Sequence, residues 1–406
     1  MPKTIVKSYG FYLFLLSILF VTGAFHAYRH GIDYEGYEFA SLRLWNGTAT
    51  ALYDDPSDPV RSFYYSYFFA FAFLPFALLG KAGRFFFFCL FFASYLKVLH
   101  FSFSAAIRLS RVQVEKTMKY VILSGLVLLT TYAINDAFFN LNIGVLLLAL
   151  ILFAYDFREK KPVLSGVLLA LAISFKMYPA MILGFFIWEW RWKVLLTSVL
   201  ASVVFVVGLP IFFNGFENGM LLTSKYFYVL GHIEEIWSQR GWHFDGHVFQ
   251  NITGTTLRYA SLLSGNPKLV LNWVVGICAG FVILFYFRGF LTPRTQRSKE
   301  YCEQMFIFAL ALVPLFIPTS WYNLALFYSP LIALTLVRAI VIRDRVSQVA
   351  IAVYSILYCL TTPDLVTRPI NEKLCFFSIP FVGIAFLVGE SLFREISASQ
   401  RRSSNV

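Results

Sequence analysis

Charge is scarce in this 406-residue chain: Asp, Glu, Lys and Arg make up only 14% of it, against 58% hydrophobic residues. With a mean hydropathy of +0.68, this excludes a soluble globular domain, in which about a quarter of residues are charged. Nucleotide signatures are also missing. There is no GxGxxG in a strand–turn–helix context and no Walker sequence, so the common devices for cradling a nucleotide phosphate are absent. Cysteine is sparse and unpaired in pattern: Cys89, Cys278, Cys302, Cys359 and Cys375 lie in or beside apolar runs, with no CxxC and no His at ligand spacing. They read as packing residues. The segment "WHFDGH" (242–247) places His243, Asp245 and His247 close together, with His232 upstream, but lacks the helical i, i+4 pairing that makes a zinc motif specific. No metal or other cofactor is implied. The short alternating segments of a transmembrane barrel are absent too.

What is present in abundance is apolar sequence of membrane-spanning length, about 20 residues per helix. Runs can be drawn at 9–27, 62–80, 85–107, 119–134, 142–155, 162–175, 178–190, 194–213, 268–287, 303–318, 322–337, 346–360 and 374–391. The predicted fold is therefore all-α, a polytopic transmembrane helix bundle. The first run lacks a small-residue cleavage site and reads as a retained helix, not a secretory signal. The net charge of +12 would suggest nucleic acid for a soluble protein. Here the basic residues fall in short loops, where they set orientation, and no nucleic acid partner is implied.

The positive-inside rule puts Lys3, Lys7, "DFREKK" (156–161), "WRWK" (190–193), "RTQRSK" (294–299), "RDR" (343–345) and the Arg pair at 401–402 in the cytoplasm. Both termini inside requires an even number of crossings, so about twelve are expected from thirteen runs. One run between 62 and 142 fails to span, and a broken segment of this kind is tolerated only where protein or a cavity surrounds it. With that repair, the loops 28–61 and 214–267, "PTSWYN" (318–323), "TTPDLVTRP" (361–369) and "FKMYP" (175–179) share the extracytoplasmic side. The expected organisation is one membrane domain over 1–393 and a disordered polar cytoplasmic tail over 394–406.

On that side lie the residues that could carry chemistry. Asp33, Glu35 and Glu38 follow the first helix, and "YEFASLRLWNG" after them has the spacing of an amphipathic interfacial helix. A carboxylate partly desolvated at the interface has a raised pKa, suited to a general base; the alternative is a set of solvated loop acids. Lys176, between two apolar runs, either faces a site or snorkels to the interface, and Pro179 breaks the helix beside it. In "GHVFQNITGTTLRYA" (246–260), Gln250, Asn251 and Thr253 offer hydrogen-bonding groups, and Arg258 offers a fixed guanidinium suited to phosphate. Asn46-Gly-Thr48 and Asn251-Ile-Thr253 match the glycosylation acceptor pattern and are expected to face outward.

The order "GIDYEGYEFASLRLWNGTATALYD", "FYYSYFFAFAFLPFALL", "NLNIGVLLLAL", "SGVLLALAISFKMYPAMIL" and a Trp/Arg-rich turn resembles the membrane glycosyltransferases of family 87. The likeness runs through most of the chain and is strongest over 30–195. It implies a C-type glycosyltransferase fold with interfacial helices in the first outer loop. It also implies a multi-pass enzyme of the plasma (inner) membrane whose active site faces the extracytoplasmic side. Such an enzyme moves a hexose or pentose, most often mannose, from a polyprenyl-phosphate donor to a glycolipid or glycan acceptor in envelope glycan synthesis. The resemblance maps the catalytic base onto Asp33 and donor-phosphate binding onto Lys176 and Arg258. Substrate contacts map onto Asn140, Asn142, Asn251, Thr253 and the late Trp-containing segment around Trp321. Tyr34, Glu35, Tyr178, Gln250, Tyr322 and Asn323 are added because each sits beside one of these polar elements. Two departures stand out: "NLNIG" replaces a more usual Gly-Gln-Asn, and Asn323 stands near the place of an expected His. Two other classes compete. A transporter or flippase of lipid-linked saccharide would need polar groups along a path near mid-depth, and a scaffold subunit would tolerate loss of Asp33, Lys176 and Arg258 alike.

Overall fold

The described residues of the computed structural model are 3–29, 31–54, 63–238, 251–263, 266–291, 297–317, 322–359, 366 and 368–403, and among them there is no strand. The first half of the chain holds α1 (Lys3–Arg29), α2 (Ile32–Trp45), α3 (Tyr67–Leu78), α4 (Lys81–Ser110), α5 (Lys116–Asn140), α6 (Gly144–Phe157), α7 (Pro162–Phe175), α8 (Leu183–Trp188) and α9 (Trp192–Val203). The second half holds α10 (Leu209–Gly231), α11 (Ile233–Ser238), α12 (Ile252–Leu263), α13 (Pro267–Leu291), α14 (Lys299–Phe316), α15 (Ser329–Val337), α16 (Arg345–Tyr354), α17 (Arg368–Phe376) and α18 (Ile379–Ser403). Each apolar run read from the sequence is helical over most of its described length.

Six of these helices or continuous helical stretches are long and apolar enough to cross a membrane: Ile5–Arg29, Lys81–Ser110, Lys116–Asn140, Trp192–Gly231, Pro267–Leu284 and Tyr322–Ile342. The pair Pro369–Phe376 and Ile379–Ser391, bent by 51°, makes a seventh if it is one span. Of the three runs between 62 and 142, the first is the short one. Helix α3 has 12 residues, about 18 Å at 1.5 Å per residue, against a hydrocarbon core of about 30 Å. It turns back through Gly80, whose φ is 54°, and at Gly83 an added Cβ would lie 1.9 Å from the carbonyl oxygen of Phe76. Only glycine fits at that position.

Contacts group the chain into two compact units within the span expected to be one domain. One comprises Phe20–Lys97 and Ile134–Phe244, the other Met1–Leu19, Val98–Ala133 and Asp245–Val406. In the first unit α7 packs against α6 and α9, using small residues where backbones approach closely, as membrane helices do. A Cβ on Gly166 would lie 2.5 Å from the Thr197 Cβ and 2.8 Å from the Val194 carbonyl oxygen. Ser198 donates to the Gly166 carbonyl at 3.1 Å and Ser165 to that of Ala154 at 2.6 Å. The cytoplasmic-type stretch "DFREKK" is not merely solvated. Arg158, at the end of α6, donates from Nε to both carboxylate oxygens of Glu189 at 3.2 and 3.1 Å and from Nη1 to the Tyr155 carbonyl at 2.7 Å.

In the second unit, side-chain caps start several helices. Ser298 accepts from the Tyr301 amide at 3.1 Å and Asp344 from the Ser347 amide at 2.7 Å, each satisfying one orphan donor of a first turn. Arg108, in the last turn of α4, bonds Glu303 of α14 through both Nε, at 3.0 Å, and Nη2.

Three expectations change. The region 214–267, read as one long outer loop, is helical over most of its described length, as α10, α11 and α12. Asp33 and Glu35 lie inside α2 instead of in a loop before a helix starting at Tyr37. Gly31, at φ 135°, is the N-cap of α2, and Asp33 and Glu35 then sit in the first turn, where the helix dipole favours them. The polar tail, expected to be disordered, continues α18 to Ser403, since nothing from Ser391 to Ser403 is a helix-breaking Pro or Gly.

Gly166→Val is expected to destabilise the protein by about 1–3 kcal/mol, the usual penalty for overpacking. A fall in Tm in detergent, with Gly184→Ala as a control at a site where an added Cβ meets nothing within 4 Å, measures it.

Candidate active site

Asp33 occupies the second position of α2, within its first turn. The helix is seated by its buried face, Tyr34, Tyr37, Ala40 and Ser41, which packs on α3. Tyr34 donates to the Phe76 carbonyl at 3.2 Å, and its ring packs edge-on against Phe73 at 4.9 Å. Ser41 donates to the carbonyl of Ala70 at 2.8 Å. Tyr34, expected to contact substrate, thus spends its hydroxyl and ring on holding α2 to α3, and Glu35 is exposed.

From this platform the Asp33 carboxylate meets Asn142, whose Nδ2 donates to Oδ2 at 2.5 Å. Asn142 is held in turn, its Oδ1 accepting the Gly144 amide at 3.0 Å at the start of α6. Leu141 takes a positive φ of 51° to make this turn. Asn140 points elsewhere, donating to the Asp136 carbonyl at 3.1 Å and to its Oδ1 at 3.2 Å.

Lys176 is the residue at which α7 ends. Its backbone is extended, φ −153° and ψ 133°, and its amide closes the last helical bond to the Ala172 carbonyl at 3.2 Å. Pro179 lies just beyond, in a tight 3-10 turn over Tyr178–Ile182. The ammonium stands over the Tyr65 ring at 5.3 Å and the Tyr178 ring at 5.6 Å from the centroids. It acts on Asp33 through space: burial raises the Asp33 pKa above the usual carboxylate range, and the positive charge of Lys176 and the Asn142 hydrogen bond oppose that rise. Reciprocally, burial lowers the Lys176 pKa and the Asp33 charge restores part of it. Carboxylate, ammonium and amide thus come together in one unit, on α2, the α5–α6 turn and the end of α7.

The other nominated residues sit in the second unit. Asn251 is fully buried and caps α12, its Oδ1 accepting the Gly254 amide at 2.7 Å while Nδ2 donates to the Ile317 carbonyl at 2.8 Å. The expected outward-facing sequon there has no room for a glycan, whereas Asn46 is exposed. Thr253 is buried beside it. Arg258 is only 2% exposed and donates from Nη2 to the Ser378 hydroxyl at 2.7 Å, so it is enclosed by protein and not displayed on a loop. Tyr322 bonds Cys375 Sγ at 2.8 Å, and Asn323 is buried. Gln250, Trp321, His243, Asp245 and His247 lie outside the described residues.

The model of glycosyltransferase family 87 matches residues 63–318. The chain belongs to glycosyltransferase family 87. The match covers Lys176 and Asn142 but begins after Asp33, and the Asn142–Asp33 hydrogen bond joins the unmatched carboxylate to the matched segment. No curated protein and no solved structure matches. The chain is therefore a membrane glycosyltransferase with several apolar helices.

Two residues of this candidate site escaped the sequence reading. Tyr37 and Tyr65 share a hydrogen bond at 3.0 Å, and both hydroxyls feel the Asp33 charge. Tyr37 lies one helical turn after Asp33, a signal available once α2 is known to start at Ile32. Tyr65, in the aromatic run "FYYSYFF", carried none.

With Asp33 as the proton acceptor, the role proposed below, sugar transfer is expected to rise with pH through a midpoint above the ordinary carboxylate range. Lys176 favours the charged form, so Lys176→Met moves that midpoint to higher pH. Asn142→Ala, which removes the donor, moves it the same way. The pH profile of kcat for the three proteins measures both shifts.

Proposed function

We propose that this chain transfers a hexose or pentose, mannose by the family resemblance, from a polyprenyl-phosphate donor to an acceptor hydroxyl on a glycolipid or glycan. The reaction takes place at the extracytoplasmic face of the plasma membrane and inverts the anomeric carbon. The shorter apolar helices Gly144–Phe157, Pro162–Phe175, Tyr178–Trp188 and Arg345–Cys359 and α14 (Lys299–Phe316), together with the seven longer candidates and without α3, would supply a C-type bundle of about twelve crossings.

The observation that carries the reading is the grouping of Asp33, Asn142 and Lys176. One carboxylate suffices for an inverting displacement from a phosphate, a leaving group that needs little acid assistance; a hydrolase of glycosides pairs two. The acceptor oxygen forms its bond to the anomeric carbon while Asp33 takes the hydroxyl proton. The bond from that carbon to the phosphate oxygen breaks, and its electron pair leaves with the polyprenyl phosphate. Asn142 holds the carboxylate in one orientation, so no reorganisation is needed when the proton arrives. Lys176 places a positive charge where negative charge grows on the phosphate, the kind of preorganised stabilisation that usually contributes most to rate. The donor enters from the bilayer, which is consistent with the absence of nucleotide signatures in the sequence.

Asp33→Asn is expected to lower turnover by about 10²–10⁴, the range for losing a general base, with insertion and folding retained because the amide can still hydrogen-bond to residue 142. Proteoliposomes containing a polyprenyl-phosphate mannose and a glycolipid acceptor test this. Wild-type-like turnover would reject the assignment, and movement of the lipid-linked sugar across the bilayer without a new glycosidic bond would replace the transferase with a flippase.

A further inference from the structure

Tyr65 is held from three directions. Tyr53 donates to its carbonyl at 2.9 Å, and its hydroxyl is hydrogen-bonded to that of Tyr37. The next residue, Ser66, caps α3 by accepting the Phe69 amide at 3.2 Å and donates to the carbonyl of Ser174, two residues before Lys176. Rings pack around it: Tyr37 edge-on at 5.0 Å, Phe69 at 5.0 Å and Phe63 at 5.6 Å. A tyrosine fixed at carbonyl, hydroxyl and ring offers a rigid face, and it is on this face that the Lys176 ammonium stands. The flexible four-carbon stem of a lysine would otherwise let the charge wander or snorkel away.

Resting on the transferase reading, we propose that Tyr65 is the positioning residue of the site. Its ring, with that of Tyr178, holds the Lys176 ammonium near Asp33, and its bond to Tyr37 ties that ring to the helix carrying the carboxylate. An ammonium within about 6 Å of an aromatic centroid is attracted by the ring quadrupole, more strongly where water is excluded. The titratable groups facing Lys176 are Asp33 from α2, Tyr65 from the segment before α3 and Tyr178 from the turn after α7. Tyr37 and Tyr64 in turn face the Tyr65 hydroxyl. Moving the ring therefore moves the cation relative to the base.

Two readouts test this, one of them independent of turnover. In detergent-solubilised protein, the rate at which Lys176 is reductively methylated, followed by peptide mass spectrometry across pH, reports the deprotonated amine. The aromatic faces favour the ammonium, so Tyr65→Leu is expected to move the labelling midpoint to lower pH, while Tyr65→Phe, which keeps the ring, leaves it near wild type. In the transfer assay, Tyr65→Leu is expected to lower kcat by about tenfold, within the range of a desolvated cation–π contact, and the acceptor KM is expected to stay within about twofold. Its acid limb should move up in pH as that of Lys176→Met does, and the double variant should move it no further. An unchanged labelling midpoint in a monodisperse Tyr65→Leu protein, or additive shifts in the double variant, would overturn the proposal. If Tyr65→Leu does not accumulate, Tyr178→Leu removes the second ring and is judged by the same midpoint. Absence of any new glycosidic bond with the wild-type protein would reject the transferase reading and leave the labelling result standing, so the two failures are distinguishable.

Discussion

A carboxylate taken out of water must be compensated, and the site of this protein is organised around that constraint. Asp33 receives the Asn142 amide and the positive field of Lys176, and it sits at the N-terminal end of α2, where backbone dipoles favour negative charge. Each contribution comes from a different part of the chain. Residues 33, 142 and 176 meet only because α2 is clamped on α3, the α5–α6 turn is drawn tight at Leu141, and α7 stops at residue 176.

The clamps are built from ordinary parts. Buried hydroxyls of Ser41, Ser66, Ser165 and Ser198 bond to carbonyls on neighbouring segments, while glycines let backbones approach. In a bilayer this division of labour is physically required. Apolar side chains gain little by leaving lipid for one another, so packing and interhelical hydrogen bonds carry the association. The reactive groups are placed where helices begin or end, because backbone polar groups there have no intrahelical partner and can be directed into a site. Asp33 at a helix start and Lys176 at a helix stop follow that rule, and so does Asn142, two residues before α6.

Much of this was legible beforehand. The apolar runs located the helices, Pro179 marked the break beside Lys176, and the acids after the first run marked Asp33, since such residues at a membrane edge demand a reason. What composition concealed was extent. The region 214–267 looked like a loop because polar residues interrupt it, yet α10 and α12 run through most of its described part. Periodicity likewise gave no warning that Arg258 is enclosed instead of displayed, because a buried arginine and a loop arginine look alike until its partner, Ser378, 120 residues away, is seen.

By itself, the sequence determined an all-helical membrane chain of family 87 with an acid, an asparagine pair and a lysine as candidates, because hydropathy, helix breakers and residue chemistry are local properties. Only the tertiary structure decided that Asn142 and not Asn140 faces Asp33, that Tyr34 packs while Tyr37 and Tyr65 approach the charge, and that α3 is too short to span. Those outcomes depend on the direction a side chain takes from its helix and on which distant segment lies opposite. Neither is encoded in any single stretch of residues.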